Sequence, residues 1–304
     1  MTAYTEISSN RIKTWIIMLL FAVFIAALAF IFTQALGFRG PSALSFTGFA
    51  LIIAGVMNFI TYYTSDSLVM AISGAKKIEK KDNPTLFRTV ENLCIASGLP
   101  MPKIYIIDDS APNAFATGRD PKHASICFTT GILEKLNKLE LEGVAAHELS
   151  HVGNYDTRLM SVVSILVGTV ALLADWFLRA QWFGMGNRDN DDDNQLGAIF
   201  MVVGLVLAIL APIIATLIQL SVSRKREFLA DASGALLTRN PDELANALVK
   251  ISNDTEPLEA ANRATAHLYI VNPFKGKSFG AAFANLFNTH PPIAERVKAL
   301  RAMQ

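Results

Sequence analysis

Cysteine, histidine and charge are all scarce in this chain. Of 304 residues only two are cysteines, Cys94 and Cys127, and they lie in unrelated contexts with no CxxC spacing. That argues against a disulfide scaffold and against a thiolate metal site. Two buried, small apolar thiols in a reducing compartment are the plainer expectation. Charged residues make up 17% of the chain, against roughly 25% in ordinary soluble domains. Hydrophobic residues reach 52% and the mean hydropathy is +0.35, a balance that points to a membrane protein. A net charge of +1, with no basic stripe and interleaved aromatics, argues against a nucleic-acid partner. No internal repeat or low-complexity tract stands out.

What is abundant is long apolar sequence. A helix crossing a bilayer needs about 20 mostly apolar residues, and four segments qualify, at 14–32, 44–62, 159–178 and 196–222. The first contains Ala27-Leu28-Ala29, which imitates a signal-peptide cleavage site. The apolar run continues past it and a second span follows at once, so an uncleaved anchor is expected. Lys and Arg near the span ends set the orientation. Arg11 and Lys13 precede the first span, Lys76, Lys77, Lys80 and Lys81 follow the second, and Arg224, Lys225 and Arg226 follow the fourth. Both termini and the segment 75–157 are therefore expected on the cytoplasmic side. The acidic run at 189–194 lacks EF-hand spacing and reads as a solvated outer turn. Asp175, followed by Trp176 and Arg179, reads as interfacial.

The expected organisation is a membrane hairpin over 1–74, a first catalytic part over 75–157, a second hairpin over 158–222 and a second catalytic part over 223–304. The spacing predicts a helix from Asn83-Pro84 with Leu86, Val90, Leu93 and Cys94 on one face. Residues 102–110 and 124–131 read as strands, and NAFATG at 113–118 reads as an edge strand. Asn137 with Glu140 three residues on makes a capping box. The helix it opens carries Val144, His147 and His151 and stops at Gly153-Asn154. The fold class expected is thus integral membrane and mainly α, with four transmembrane helices and a cytoplasmic α+β zincin-like domain carrying a small sheet.

His147, Glu148 and His151 spell H-E-x-x-H. Positions i and i+4 share a helical face, so both imidazoles can address one ion, while Glu148 lies one step round the helix where it can take a proton from water. Glu148-x-x-His151 also fits half of a di-iron site, but no second Glu-x-x-His exists in the chain. One Zn²⁺ with an open position needs a third protein ligand. The candidate is SRKREFLADASGA at 223–235, where Glu227 and Asp231 share a face. Glu227 completes the zinc, and Asp231 accepts the free ring N–H of a ligand histidine. His123 and His267 have no partner pattern and read as structural or exposed. Phe279, Phe283 and Phe287 recur every four residues, as core packing or as the lining of an apolar groove.

Together HELSH, EFLAD, NAFATG and NTHPPIAERVKAL resemble the HtpX family of bacterial membrane zinc proteases. These are relatives of the CAAX prenyl-protein endopeptidases in the HExxH-plus-Glu group. The resemblance spans nearly the whole chain, with no departure in the motif residues. It implies a zinc endopeptidase of the bacterial inner membrane, with one Zn²⁺ per chain, that acts on misfolded or damaged membrane proteins under stress. The partners it implies are unfolded or membrane-protein substrates and the lipid bilayer. It also implies that His290 stabilises the oxyanion, and that Asn113 and Arg296 bind substrate. A CAAX-type protease is the alternative within this chemistry. A metal-binding scaffold or transporter is the alternative outside it, although the spans carry no His and almost no acids at midplane depth.

Overall fold

The structure, a computed structural model, describes residues 3–35, 40–166, 206, 224–262, 265–274 and 290–303. Two long helices open it, α1 (Ala3–Ala35) and α2 (Pro41–Ile72). They pack side by side, and the Asn58 amide on α2 donates to the Met18 carbonyl on α1 at 3.0 Å. Within them Ser8–Ala27 and Thr47–Ile72 are apolar and long enough to cross a bilayer. Their outer faces expose Ile12, Trp15, Leu19, Val23, Ile52, Val56 and Phe59. An apolar surface this continuous is not a solvent face of a soluble domain, and it suits a helix whose backbone is satisfied internally and whose side chains meet lipid.

Helix α2 runs ten residues past the end expected at residue 62, because its last turns belong to the protein core. Val69 and Met70 are buried with Phe115, Cys127 and Tyr269 on the back of a small sheet. That sheet has four strands, β1 (Lys76–Lys77), β2 (Lys103–Ile107), β3 (Ala114–Gly118) and β4 (Ala124–Thr129), in the order β1-β2-β4-β3. Strand β4 is parallel to β2 and antiparallel to β3. The NAFATG strand is an edge strand, as its sequence suggests.

The opposite sheet face carries the larger core, in which Ile104, Ile126 and Phe128 meet Leu86 and Val90 of α3 (Pro84–Ser97) and Val144 and Leu149 of α5 (Lys138–Gly153). Helix α3 starts as its sequence dictates, with the Asn83 side chain accepting from the Leu86 N–H at 3.0 Å. The capping box of α5 is complete: Asn137 Oδ1 accepts from the Leu139 and Glu140 N–H groups, and Glu140 accepts from the Asn137 N–H at 2.8 Å. Both cysteines are buried and free, and burial pushes the Cys94 thiol up to about 11. After the short helix α4 (Thr130–Lys135), α5 becomes the centre of the domain.

Two later helices press on α5 at glycines. Helix Pro241–Asn253 brings Leu244 so close that a Cβ on Gly143 would stand 3.1 Å from its Cα. Helix Arg224–Thr238 crosses at Gly234, where a Cβ would stand 3.0 Å from the His147 nitrogen. The absent side chain is what lets the helix bearing Glu227 lie against the helix bearing the histidines.

Of the expected third and fourth spans, residues 159–166 and 206 are described and are helical; the remainder lies outside the described residues, as do Asp175, the acidic run and Phe279, Phe283 and Phe287. Of the four expected spans, two appear as helices of sufficient length and apolarity among the described residues.

Gly234→Val is expected to lower stability by about 1–3 kcal/mol through overpacking. Its unfolding midpoint in detergent should fall and metal uptake weaken with it, because the two ligand-bearing helices must part. A wild-type midpoint would contradict this account of the crossing.

Candidate metal centre

Five segments converge below β3. Helix α5 presents His147, Glu148 and His151 on its buried side. Helix Arg224–Thr238 brings Glu227, and the ligand atoms of His147, His151 and Glu227 all lie within 4.8 Å of one another. The two Nε2 atoms are 3.2 Å apart, and Glu227 Oε1 is 3.5 Å from that of His151.

The tautomers explain why this cluster calls for a cation. His147 Nδ1 lies 2.9 Å from Asp231 Oδ1, and His151 Nδ1 lies 3.0 Å from Asp156 Oδ2. A carboxylate beside Nδ1 keeps the proton there and leaves the lone pair on Nε2. Two lone pairs then face each other beside a buried carboxylate, and neither oxygen of Glu227 has a hydrogen-bond donor aligned on it among the described residues. With both rings neutral that arrangement is repulsive, and a positive ion between the groups makes it favourable. Donors about 2.05 Å from a tetrahedral zinc stand about 3.3 Å apart, which matches the spacing of the two imidazoles. The residues present therefore fit a metal ion.

Electrostatics agree. Burial disfavours the charged form of Glu227, but the His290, His151 and Arg296 charges overcome it and hold the carboxyl well below its ordinary range. Burial likewise opposes charge on His151, and Asp156 and Glu227 more than offset it. Glu148 behaves differently. Burial, helped by the Glu227 charge, pushes it up to about 7, against His151, Arg296 and the Ala116 N–H, which favour its ionised form. A carboxyl poised there is suited to exchange protons with water near neutral pH.

Of the eight residues read from the sequence, the structure brings seven into one cluster, with Arg296 and His290 joining the HExxH and EFLAD residues. His290 Nδ1 lies 2.9 Å from Glu227 Oε2, while its Nε2 is buried with no partner among the described residues. Arg296 is buried inside this cluster. Its side chain is 0% exposed and grips Asp231 with two hydrogen bonds, Nε to Oδ2 at 2.8 Å and Nη2 to Oδ1 at 2.7 Å, while Nη1 donates to the Ile270 carbonyl at 3.1 Å. A guanidinium held in this way anchors Asp231, and its Nη1 also lies 3.3 Å from Glu227 Oε2. Asn113 is also committed: its amide donates to the Val271 carbonyl at 2.9 Å and caps the start of β3. It ties the 270–271 segment beside β3, where the Ile270 N–H already donates to the Ala114 carbonyl. His267 is structural, as expected. It is fully buried beside Ser164, and burial pushes it down to about 4.

Sequence reasoning missed Asp156, Asn10 and Arg226. Asp156 follows His151 by five residues, and Tyr155 between them adopts a left-handed backbone with φ of 60° that folds the chain back under the ring. The only trace in the sequence is an acid shortly after the helix stop.

Residues 80–304 match peptidase family M48. A protein named Protease HtpX homolog from Dictyoglomus thermophilum is 44% identical over 304 residues, covering 99% of this chain and 95% of its own length. Another of that name from Tropheryma whipplei is 45% identical over 300 residues, covering 99% and 98%. Among solved structures, the crystal structure of S. mikatae Ste24p superposes with a TM-score of 0.50 at 18% identity, over 95% of this chain and 67% of that one. This is a likeness of fold.

Arg296→Ala leaves Asp231 buried without its charge partner, and an unfolding loss of about 3–5 kcal/mol is expected. Arg296→Lys should restore little of it, since an ammonium cannot make the paired contact. Wild-type unfolding of the alanine variant in detergent would contradict this reading.

Proposed function

The chain belongs to peptidase family M48, and from that premise we propose that it is a membrane-embedded zinc endopeptidase that cleaves misfolded or damaged membrane proteins on the cytoplasmic side. The observation that carries the reading is the His147, His151 and Glu227 ligand set with Glu148 beside it on the same helix. Two imidazoles and one carboxylate are the donor set of a catalytic zinc that keeps a position open.

When bound, one zinc per chain supplies Lewis acidity, which lowers the pKa of water and polarises the scissile carbonyl. The protein's own groups do the rest. Glu148, whose carboxyl is pushed up to about 7 by its burial, takes the proton of the attacking water and passes it to the departing amine. His290 offers a ring nitrogen that has no partner among the described residues, which suits hydrogen bonding to the oxyanion. Asp231 and Asp156 keep both ligand rings in the metal-binding tautomer, and Arg296 keeps Asp231 ionised, against the burial that opposes it. Strand β3 is an edge strand beside the HExxH helix, a position that suits an extended peptide adding as one more strand.

The apolar outer faces of α1 and α2 support insertion in a bilayer. The basic residues that flank them, Arg11 and Lys13 on one end and Lys76 to Lys81 on the other, support cytoplasmic termini and a cytoplasmic catalytic domain. The further spans at 159–178 and 196–222 rest on sequence and complete the multi-pass reading. Stress-related quality control in the bacterial inner membrane is the role that the resemblance to HtpX proteases supports.

Glu148→Gln keeps all three ligands, so it should bind one zinc per chain. Cleavage of an unfolded membrane-protein substrate should fall by about a hundredfold to ten-thousandfold. Unchanged cleavage by this variant would defeat the mechanism, and cleavage that depends strictly on a prenylated C-terminus would move the substrate class to the CAAX type.

A further inference from the structure

One buried amide reaches into the metal centre from outside the peptidase domain. Asn10 lies on α1, near the N-terminal end of its apolar stretch Ser8–Ala27, and its side chain is fully buried. Its Nδ2 donates to Asp156 Oδ1 at 2.7 Å and to the Asn154 carbonyl at 3.1 Å. Its Oδ1 accepts from Arg226 Nη1 at 2.9 Å. Three bonds of opposite polarity fix which way the amide faces. A flipped amide would set oxygen against the Asp156 carboxylate and NH₂ against a guanidinium.

The three partners are not incidental. Asp156 is the carboxylate on His151 Nδ1. Asn154 caps the end of the helix that carries both ligand histidines. Arg226 directly precedes Glu227, and it also meets Asp156 Oδ1 at 3.3 Å. Asn10 therefore joins the segments that supply all three metal ligands, although it lies more than a hundred residues before the first of them.

We propose that Asn10 is a positioning residue of the metal centre, so that the first membrane helix, through Asp156 and Arg226, sets how tightly the peptidase domain holds its metal. This rests on the functional reading above and goes beyond it. Without Asn10, Asp156 keeps one fewer donor and becomes free to turn away from His151. The imidazole then loses the partner that fixes its tautomer and its aim. Partners of this kind are worth about tenfold to a hundredfold in metal affinity.

The test uses the full chain in detergent or nanodiscs, with zinc as the probe and a chromophoric chelator as competitor. Asn10→Ala and Asp156→Asn are each expected to weaken zinc binding by about tenfold or more and to speed zinc loss to excess chelator. Asn58→Leu removes a buried amide that joins α2 to α1 and touches none of the metal-site residues named above, and it is expected to leave zinc affinity at the wild-type value. Wild-type affinity in folded Asn10→Ala overturns the proposal, even if that variant is less stable. Equal weakening in Asn58→Leu also overturns it, because the effect is then a general loosening of the helix pair. Should Asn10→Ala fail to fold, Asp156→Asn decides, and wild-type zinc affinity there overturns the proposal. A wild-type chain that takes up no zinc overturns the functional reading itself, and this inference with it.

Discussion

Two imidazole lone pairs and a carboxylate aimed at one small buried space are the constraint on which the structure turns. With both rings neutral and no cation the three groups repel, and burial removes the water that would soften the repulsion. Many of the costly features nearby exist to hold that arrangement. Asp231 and Asp156 sit on the two Nδ1 atoms. Arg296 and Arg226, both buried, neutralise those two carboxylates. Gly143 and Gly234 remove the side chains that would keep the three helices apart. Each is a concession in stability or packing freedom, and together they place donors from separate parts of the chain around one point.

The membrane helices are part of this construction. The end of α2 supplies Val69 and Met70 to the core behind the sheet, while α1 supplies Asn10 to the polar network around His151. Arg11 and Arg158 stack on Tyr155, at 4.6 and 4.8 Å from its ring centre, and so brace the left-handed turn that delivers Asp156. Anchor and peptidase domain thus share a core and a hydrogen-bond network. The first apolar helix is therefore joined to the metal-site segments by direct contacts.

Much of this was legible in the sequence where chemistry is local. HExxH needs only the helical repeat to be read, and Glu227 with Asp231 needs only a shared face. The capping box at Asn137, the helix at Pro84 and the edge strand at 114–118 follow from residue types and short-range geometry. What escaped depends on long-range contact. Nothing in the letters around Asn10 says that it meets Asp156, since that pairing exists only after α1 docks. Asp156 is visible only through the turn at Tyr155, an unfavourable conformation for a tyrosine that no pattern rule anticipates. Arg296 was expected at the substrate because its motif adjoins His290. Its burial against Asp231 follows from how the C-terminal helix Ile293–Arg301 packs, a tertiary fact. The expected end of the second span, at residue 62, marks where apolar sequence weakens, whereas α2 continues for ten residues, of which Ser65, Asp66, Val69 and Met70 are buried against the protein.

The central claim is that one metal ion is held by three ligands from two helices, in the tautomers that Asp231 and Asp156 select. An anomalous difference map at the zinc absorption edge, from crystals of the zinc-loaded chain, tests it most directly. The account predicts one peak about 2.0–2.2 Å from Nε2 of His147, Nε2 of His151 and a carboxylate oxygen of Glu227. Ligation through either Nδ1, or a principal peak in the acidic recess lined by Asp108, Asp109, Glu134 and Glu256, would contradict it.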